Sequence, residues 1–111
     1  MPKEDEVVWA ETAETDLLKI IEYIAEDSPS SALKILGNIT KQVSGLTTSP
    51  ERCRVVPELN DHGINIYREM VIDPWRILYR ISESKVLVLS VLDSRRNIED
   101  LLLKRLTNHI I

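Results

Sequence analysis

The sequence lacks several features that mark whole classes of protein. It has one cysteine, Cys53, in 111 residues, so no internal disulfide forms, which favours a reducing cytoplasm. Three glycines and five prolines are too few for a disordered or collagen-like chain, and without phenylalanine a core must use Leu, Ile and Val. No apolar run approaches the roughly 20 residues of a membrane span, and the acidic N-terminus does not resemble a signal peptide. A single cytoplasmic domain, residues 1–111, is therefore expected.

Acidic residues are concentrated at the N-terminus. The net charge of −4 at first disfavours a nucleic-acid binder, because phosphate contacts need a basic surface. Residues 1–27 hold nine acidic and two basic residues, a net −7, whereas the rest holds twelve basic and nine acidic residues, a net +3. The acidic total therefore does not exclude a phosphate-facing surface in the later part of the chain.

Two amphipathic helices are predicted in the first half of the chain. Over residues 13–26 the apolar side chains recur at helical spacing, with Thr12 as the predicted N-cap. A second apolar stripe follows Ser28 and Pro29, which suit the N-cap and first position of a helix, and Ser49-Pro50 closes it. Because the connection is short, the helices are expected to pack as an antiparallel hairpin.

The remaining pattern is typical of strands. Beside the N-terminal run VVW, the segments rich in β-branched and aromatic residues are CRVVPEL, IYREMVI, WRILYRI and VLVLSVL. Pro57 marks a strand end, Asp73-Pro74 a tight hairpin, and the near-continuous VLVLSVL a central strand covered on both faces. Residues 97–109 return to helical spacing. The predicted class is α+β: an N-terminal strand, a helical hairpin, a mostly antiparallel four-stranded sheet and a C-terminal helix.

No common catalytic motif occurs in the sequence. It has no phosphate-binding glycine loop, no HExxH pair, no nucleophile elbow and no Cys/His cluster, so neither a cofactor nor a metal is expected. His62 lies in a turn-rich loop and His109 in the C-terminal tail, and both are interpreted as solvated surface residues. Cys53 is interpreted as a small buried hydrophobic residue rather than a nucleophile.

Arginines on the predicted strands are the remaining candidates for a site. Those on or beside strands are Arg54, Arg68, Arg76, Arg80, Arg95 and Arg96. Arg76 and Arg80 are four residues apart and so share one face of their strand, while the alternating residues Ile77 and Tyr79 are assigned to the core. Convergence of the arginines would create a basic concavity suited to phosphate or carboxylate. Alternatively, they are ordinary strand residues paired with four acids: Glu58, Glu69, Asp73 and Asp93.

Taken in order, the segments resemble the RelE/ParE superfamily of toxins from type II toxin–antitoxin systems, often described as plasmid stabilisation proteins. The resemblance extends from about Val7 to Leu106. It rests on DLLKIIEYIAEDSPSSALKIL, SPERCRVVPEL, the loop with Gly63, IYREMVIDPWRILYRI and VLVLSVLDSRRNIEDLL. It implies a small cytoplasmic toxin that a cognate antitoxin neutralises, and that either inhibits DNA gyrase, like ParE, or cleaves messenger RNA on the ribosome, like RelE.

Residues can be carried over from the superfamily by position. Arg76 matches the strand arginine of the RNA-cleaving site, Arg68 a neighbouring phosphate contact, and Arg95 and Arg96 the basic pair after the last strand. Many relatives place a histidine just before this pair, where this chain has Asp93.

This departure, together with the lack of any tyrosine beyond Tyr79, removes the expected general acid or base. The chain is therefore expected to be ParE-like, a non-catalytic gyrase inhibitor whose target contacts lie among the six arginines. The alternatives are a ribosome-dependent endoribonuclease that uses Arg68, Arg76 and Arg95, and a degenerate toxin that retains only antitoxin binding.

The expected partner is the cognate antitoxin, in a hetero-oligomer. A sheet edge and a helical hairpin offer backbone donors and an apolar groove, which an antitoxin tail could fill as a strand and a helix. Leu101, Leu102 and Leu106 of the predicted C-terminal helix are the expected antitoxin contacts.

Overall fold

The structure is a computed structural model that describes residues 5–108. Within this range the chain forms five strands and four α-helices. They are β1 Glu6–Trp9, α1 Glu11–Asp27, α2 Pro29–Ser44, β2 Arg54–Val55, α3 Pro57–Asn60, β3 Tyr67–Ile72, β4 Trp75–Ser82, β5 Lys85–Asp93 and α4 Ile98–Thr107. The predicted α+β class is confirmed.

The helical hairpin forms around Ser28, as predicted. Ser28 is the single residue between α1 and α2, its Oγ accepts the backbone N–H of Ser31 at 3.3 Å, and Pro29 occupies the first helical position. The prediction of Thr12 as the N-cap of α1 is wrong, because the N-cap is Ala10. The Ala10 N–H donates to the Val88 carbonyl at 2.8 Å, so the helix begins where the chain leaves the sheet.

The sheet has five strands in the order β1-β5-β4-β3-β2, because the predicted N-terminal strand joins the predicted four-stranded sheet. β1 adds to one edge by pairing parallel to β5, and the other pairs are antiparallel. At the opposite edge β2 is only two residues long. Pro57 then opens the short helix α3, because its fixed φ suits the first position of a helix.

Both faces of the sheet are covered. The helical hairpin packs on one face over a core that includes Leu17, Ile39 and Ile77. A second core on the other face joins Leu59 of α3 and Leu102 of α4 to the strands. β5 lies between β1 and β4 and is covered on both sides, as its apolar sequence predicted. No helix of residues 5–108 is both long and apolar enough to cross a membrane.

Candidate functional site

Arg54 and Arg76 meet at the carboxylate of Glu69. β2 pairs Arg54 with Glu69, and β4 places Arg76 on the same face one strand further in. Arg54 Nε donates to Glu69 Oε2 at 2.6 Å, and Arg76 Nε donates to Glu69 Oε1 at 2.7 Å. Arg76 also forms a bidentate pair with Glu58 of α3, with Nη1–Oε2 and Nη2–Oε1 distances of 2.7 and 2.6 Å. We call Arg54, Glu58, Glu69 and Arg76 the buried arginine cluster after its two buried members, Glu69 and Arg76, since the Arg54 side chain is 57% exposed.

The two arginines and two glutamates of the buried arginine cluster balance in charge. Glu69 is 2% exposed and Arg76 is 7% exposed. Hydrogen bonds from Arg76 lower the pKa of Glu58, and hydrogen bonds to Glu58 and Glu69 raise the pKa of Arg76 above its ordinary value. Because each of its three side-chain nitrogens faces a carboxylate, Arg76 joins the sheet to α3 rather than facing a ligand.

Arg68 and Arg80 lie apart from this cluster. Arg68 is on the hairpin face, where its Nη1 donates to the Cys53 carbonyl at 2.7 Å and so braces the segment before β2. Arg80 is exposed near the far end of β4. Tyr79 is fully buried, its hydroxyl donates to the Pro50 carbonyl at 2.6 Å, and burial raises its pKa. Its hydroxyl is therefore committed to a structural hydrogen bond.

Arg95 and Arg96 follow β5 in a turn that Ser94 fixes. The Ser94 N–H and Oγ both donate to the Pro74 carbonyl, at 2.8 and 2.7 Å. Arg95 Nε and Nη2 donate to the two carboxylate oxygens of Asp93 at 2.9 and 2.7 Å. These hydrogen bonds lower the pKa of Asp93 to about 2. Asp93 is therefore ionised at neutral pH and cannot act as a proton donor.

A groove of about 500 Å³ opens between the helical hairpin and this turn. Its apolar lining consists of Ile20, Ile24, Ile35, Pro74 and Trp75. Lys19, Arg96 and the paired Asp93 and Arg95 also line it, and within residues 5–108 neither Lys19 nor Arg96 forms an ion pair. Tyr23, which is 73% exposed, lies at the same opening. We call this the basic groove, because an apolar lining and uncompensated positive charge coincide in it.

An ion pair beside the basic groove was missed by the sequence analysis. Arg105 of α4 donates from Nη1 and Nη2 to the two oxygens of Asp16 in α1, at 2.7 and 2.9 Å. Arg105 Nη1 also donates to the fully buried Ser90 hydroxyl at 2.8 Å. The partners are 89 residues apart, so no local pattern indicates the pair. A weak signal is that Asp16 lies four residues before Ile20, on the border of the apolar stripe of α1.

Asp16 also completes the hydrogen bonding of β5. Its Oδ2 accepts the backbone N–H of Val91 at 3.0 Å. β1 ends at Trp9, opposite Val88, so the later residues of β5 have no strand beside them on that edge. The Asp16 carboxylate takes the place of that missing strand, and α1, β5 and α4 are joined at one point.

The structure brings the predicted arginines together as two separate pairs. Arg54 and Arg76 share Glu69, and Arg95 and Arg96 lie in the turn after β5, whereas the single basic concavity does not form. Three of the four acids proposed as ion-pair partners do form ion pairs with these arginines: Glu58, Glu69 and Asp93.

The leucines predicted as antitoxin contacts differ in how deeply they are buried, and the histidine that the structure describes lies on the surface. Leu102 is 1% exposed and belongs to the second core, while Leu101 and Leu106 are partly buried beside it. His62 is on the surface and pairs with Glu99 at 2.8 Å. His109 lies outside the described residues. Within residues 5–108 no group of three or more His, Cys, Asp and Glu is arranged to hold a metal ion.

Comparisons with known proteins identify the family. Residues 7–98 match the model of the ParE toxin of type II toxin–antitoxin systems. The fold is similar to a chain of the chromosomal ParDE toxin–antitoxin system from P. aeruginosa, with a TM-score of 0.65 and 21% identity over 81% of this chain and 96% of that one.

A second similar structure is the toxin–antitoxin complex RelBE2 from Mycobacterium tuberculosis, with a TM-score of 0.57 and 22% identity over 81% of this chain and 98% of that one. A search of the curated proteins finds no match. Because the family model covers most of the chain, the protein belongs to the ParE toxin family and is a type II toxin of the RelE/ParE superfamily.

Proposed function

We propose that this toxin arrests growth by binding and inhibiting DNA gyrase, and that a cognate antitoxin neutralises it in the cytoplasm. The observation that carries the choice of target is the burial of Arg76. The superfamily resemblance assigns this arginine to the RNA-cleaving site, but here it is held between Glu58 and Glu69.

The other groups that RNA cleavage needs are not gathered beside Arg95 and Arg96 in residues 5–108. That reaction requires a base for the 2′-hydroxyl, an acid for the leaving oxygen and cations at the scissile phosphate. Asp93, with a pKa of about 2, is too weak a base, and the Tyr79 hydroxyl is buried with a raised pKa. A binding mechanism needs neither group, which supports gyrase inhibition over RNA cleavage.

The antitoxin is proposed as partner in a hetero-oligomer because both similar structures come from toxin–antitoxin systems. Leu101 and Leu106 are partly buried and stand as candidate contacts on α4. Leu102 was also predicted as an antitoxin contact, but it is buried and packs in the second core between α4 and the sheet.

The test is a supercoiling assay with purified gyrase and relaxed plasmid. The toxin is expected to inhibit supercoiling in a dose-dependent way, and addition of the antitoxin encoded beside it is expected to restore activity. A topoisomerase I relaxation assay is the matched control and should be unaffected. Unchanged gyrase activity at saturating toxin would refute the proposal.

Primer extension on messages from induced cells tests the alternative activity. Discrete cuts in ribosome-bound messages would assign the protein as a RelE-like endoribonuclease. Induction with neither cuts nor growth arrest would identify a degenerate toxin that retains only antitoxin binding.

A further inference from the structure

The basic groove combines an apolar lining with positive charge that no acidic side chain of the described residues neutralises. Its lining holds a cluster of isoleucines beside Trp75, and Tyr23 stands exposed at its opening. Lys19 and Arg96 lie at the same groove without an acidic partner among the described residues, whereas Arg95 is neutralised by Asp93. The groove therefore presents an apolar cavity with a net charge of about +2.

We propose that the basic groove is the surface that contacts the target enzyme, and that it binds an acidic peptide segment carrying one large apolar side chain. This inference rests on the proposed function. The apolar side chain would fill the cavity beside Trp75, and carboxylates on either side of it would pair with Lys19 and Arg96. Arginine and lysine at the edge of an apolar pocket favour such a partner, because they add attraction for carboxylates to the burial of apolar surface.

One feature favours a peptide over DNA, the other large molecule that gyrase presents. A phosphate backbone requires several cations in register along its path, and this groove offers two uncompensated cations beside an apolar lining.

Asp16 fixes the elements beside the groove, although it does not line the groove itself. It accepts the Val91 N–H and pairs with Arg105, so α1, which carries Lys19 and Tyr23, is joined to the end of β5, which leads into Arg96, and to α4. A preformed groove binds a peptide without the entropy cost of ordering its own residues.

The test compares two double variants of the full-length toxin. Lys19→Glu with Arg96→Glu reverses the charge of the basic groove, and Lys34→Glu with Lys85→Glu reverses two exposed cations elsewhere. Binding to immobilised gyrase is measured by surface plasmon resonance without DNA. The groove variant is expected to raise Kd by roughly tenfold or more, and the control variant to change it by about twofold at most.

Each variant is also measured for binding to the antitoxin and to a relaxed DNA duplex. Retained antitoxin binding and an unchanged thermal unfolding curve show that the groove variant folds. Gyrase binding by the groove variant equal to that of wild type would overturn this inference while leaving gyrase inhibition intact. Tight binding of the wild-type toxin to the duplex alone, lost in the groove variant, would assign the groove to DNA instead. Failure of the wild-type toxin to bind gyrase would refute the proposed function itself, and this inference with it.

Discussion

The buried arginine cluster and the basic groove both contain basic side chains, but the positive charge is neutralised in the cluster and available for binding in the groove. In the cluster, Arg54 and Arg76 share Glu69, Arg76 also pairs with Glu58, and Arg76 is 7% exposed. In the groove, Lys19 and Arg96 lie at the surface without acidic partners in the described chain. The position of an arginine on a strand therefore does not by itself make it a phosphate-binding residue. The number of carboxylates within reach, and the element that covers it, decide whether its charge is available.

The two regions also lie on different sides of the fold, and this explains the difference between them. The cluster lies on the face that α3 covers, where Glu58 arrives from Pro57–Asn60 and closes over Arg76. The groove lies at the end of the hairpin, where the turn after β5 leaves an opening beside α1. A charged side chain that is covered needs an oppositely charged partner, because burying an unpaired charge costs a large amount of free energy.

The largest expected effect comes from removing the central cation of the cluster. Arg76→Met leaves Glu58 and Glu69 without their shared partner and is expected to lower the free energy of unfolding by about 3 kcal/mol. Arg96→Met, the matched change in the basic groove, is expected to stay within about 0.5 kcal/mol of wild type. Urea unfolding monitored by tryptophan fluorescence measures both. Equal losses in the two variants would contradict the division between a structural and an available arginine.

An intermediate loss of stability is expected from breaking the Asp16–Arg105 ion pair beside the basic groove. Asp16→Asn keeps an acceptor for the Val91 N–H but loses the charge that holds Arg105, and should cost about 2 kcal/mol. Glu22→Gln, on the exposed side of the same helix, is the control and should have little effect. If Asp16→Asn unfolds at the same urea concentration as wild type, the pair does not anchor α4.

Acid pH is expected to weaken the buried arginine cluster. The pKa of Glu58 is lowered in the folded protein by hydrogen bonds from Arg76, whereas in the unfolded chain it lies near its ordinary value of about 4.3. The stabilisation from Glu58 is therefore complete above that unfolded value and is lost as the pH falls through the folded value. Urea unfolding from pH 7 down to pH 3 should show a declining free energy of unfolding. Glu58→Gln should flatten the decline, and a slope identical to wild type would exclude this role.

The smallest effect on stability is expected at the exposed pair of Asp93 and Arg95. Arg95 is largely exposed, so Arg95→Ala should leave the free energy of unfolding close to that of wild type. The same variant should raise the pKa of Asp93 from about 2 toward its ordinary value of about 3.9, since the hydrogen bonds that lower it are lost. An NMR titration of the Asp93 carboxyl group measures this shift. A pKa that stays near 2 would show that another group holds the aspartate ionised.

Local patterns predicted much of the fold but less of the site. The stop at Ser28-Pro29, the turn at Asp73-Pro74 and the covered strand β5 were all predicted, because capping, turn chemistry and apolar alternation act over a few residues. The sequence pattern also named the acids that pair with strand arginines. It could not choose between exposed and paired states for Arg76, since that choice depends on Glu58, which is 18 residues away in the chain.

The amino-acid sequence by itself determined the α+β class and the helical hairpin, because these follow from local periodicity, and its resemblance to known toxins indicated the RelE/ParE superfamily. Only the tertiary structure decided which cations remain available. Packing α3 over the sheet neutralised Arg76, and packing α1 beside the turn after β5 brought Lys19 into the same groove as Arg96 and Asp16 next to Arg105. Pairing between charges depends on distance in space, and a one-dimensional pattern does not contain that distance.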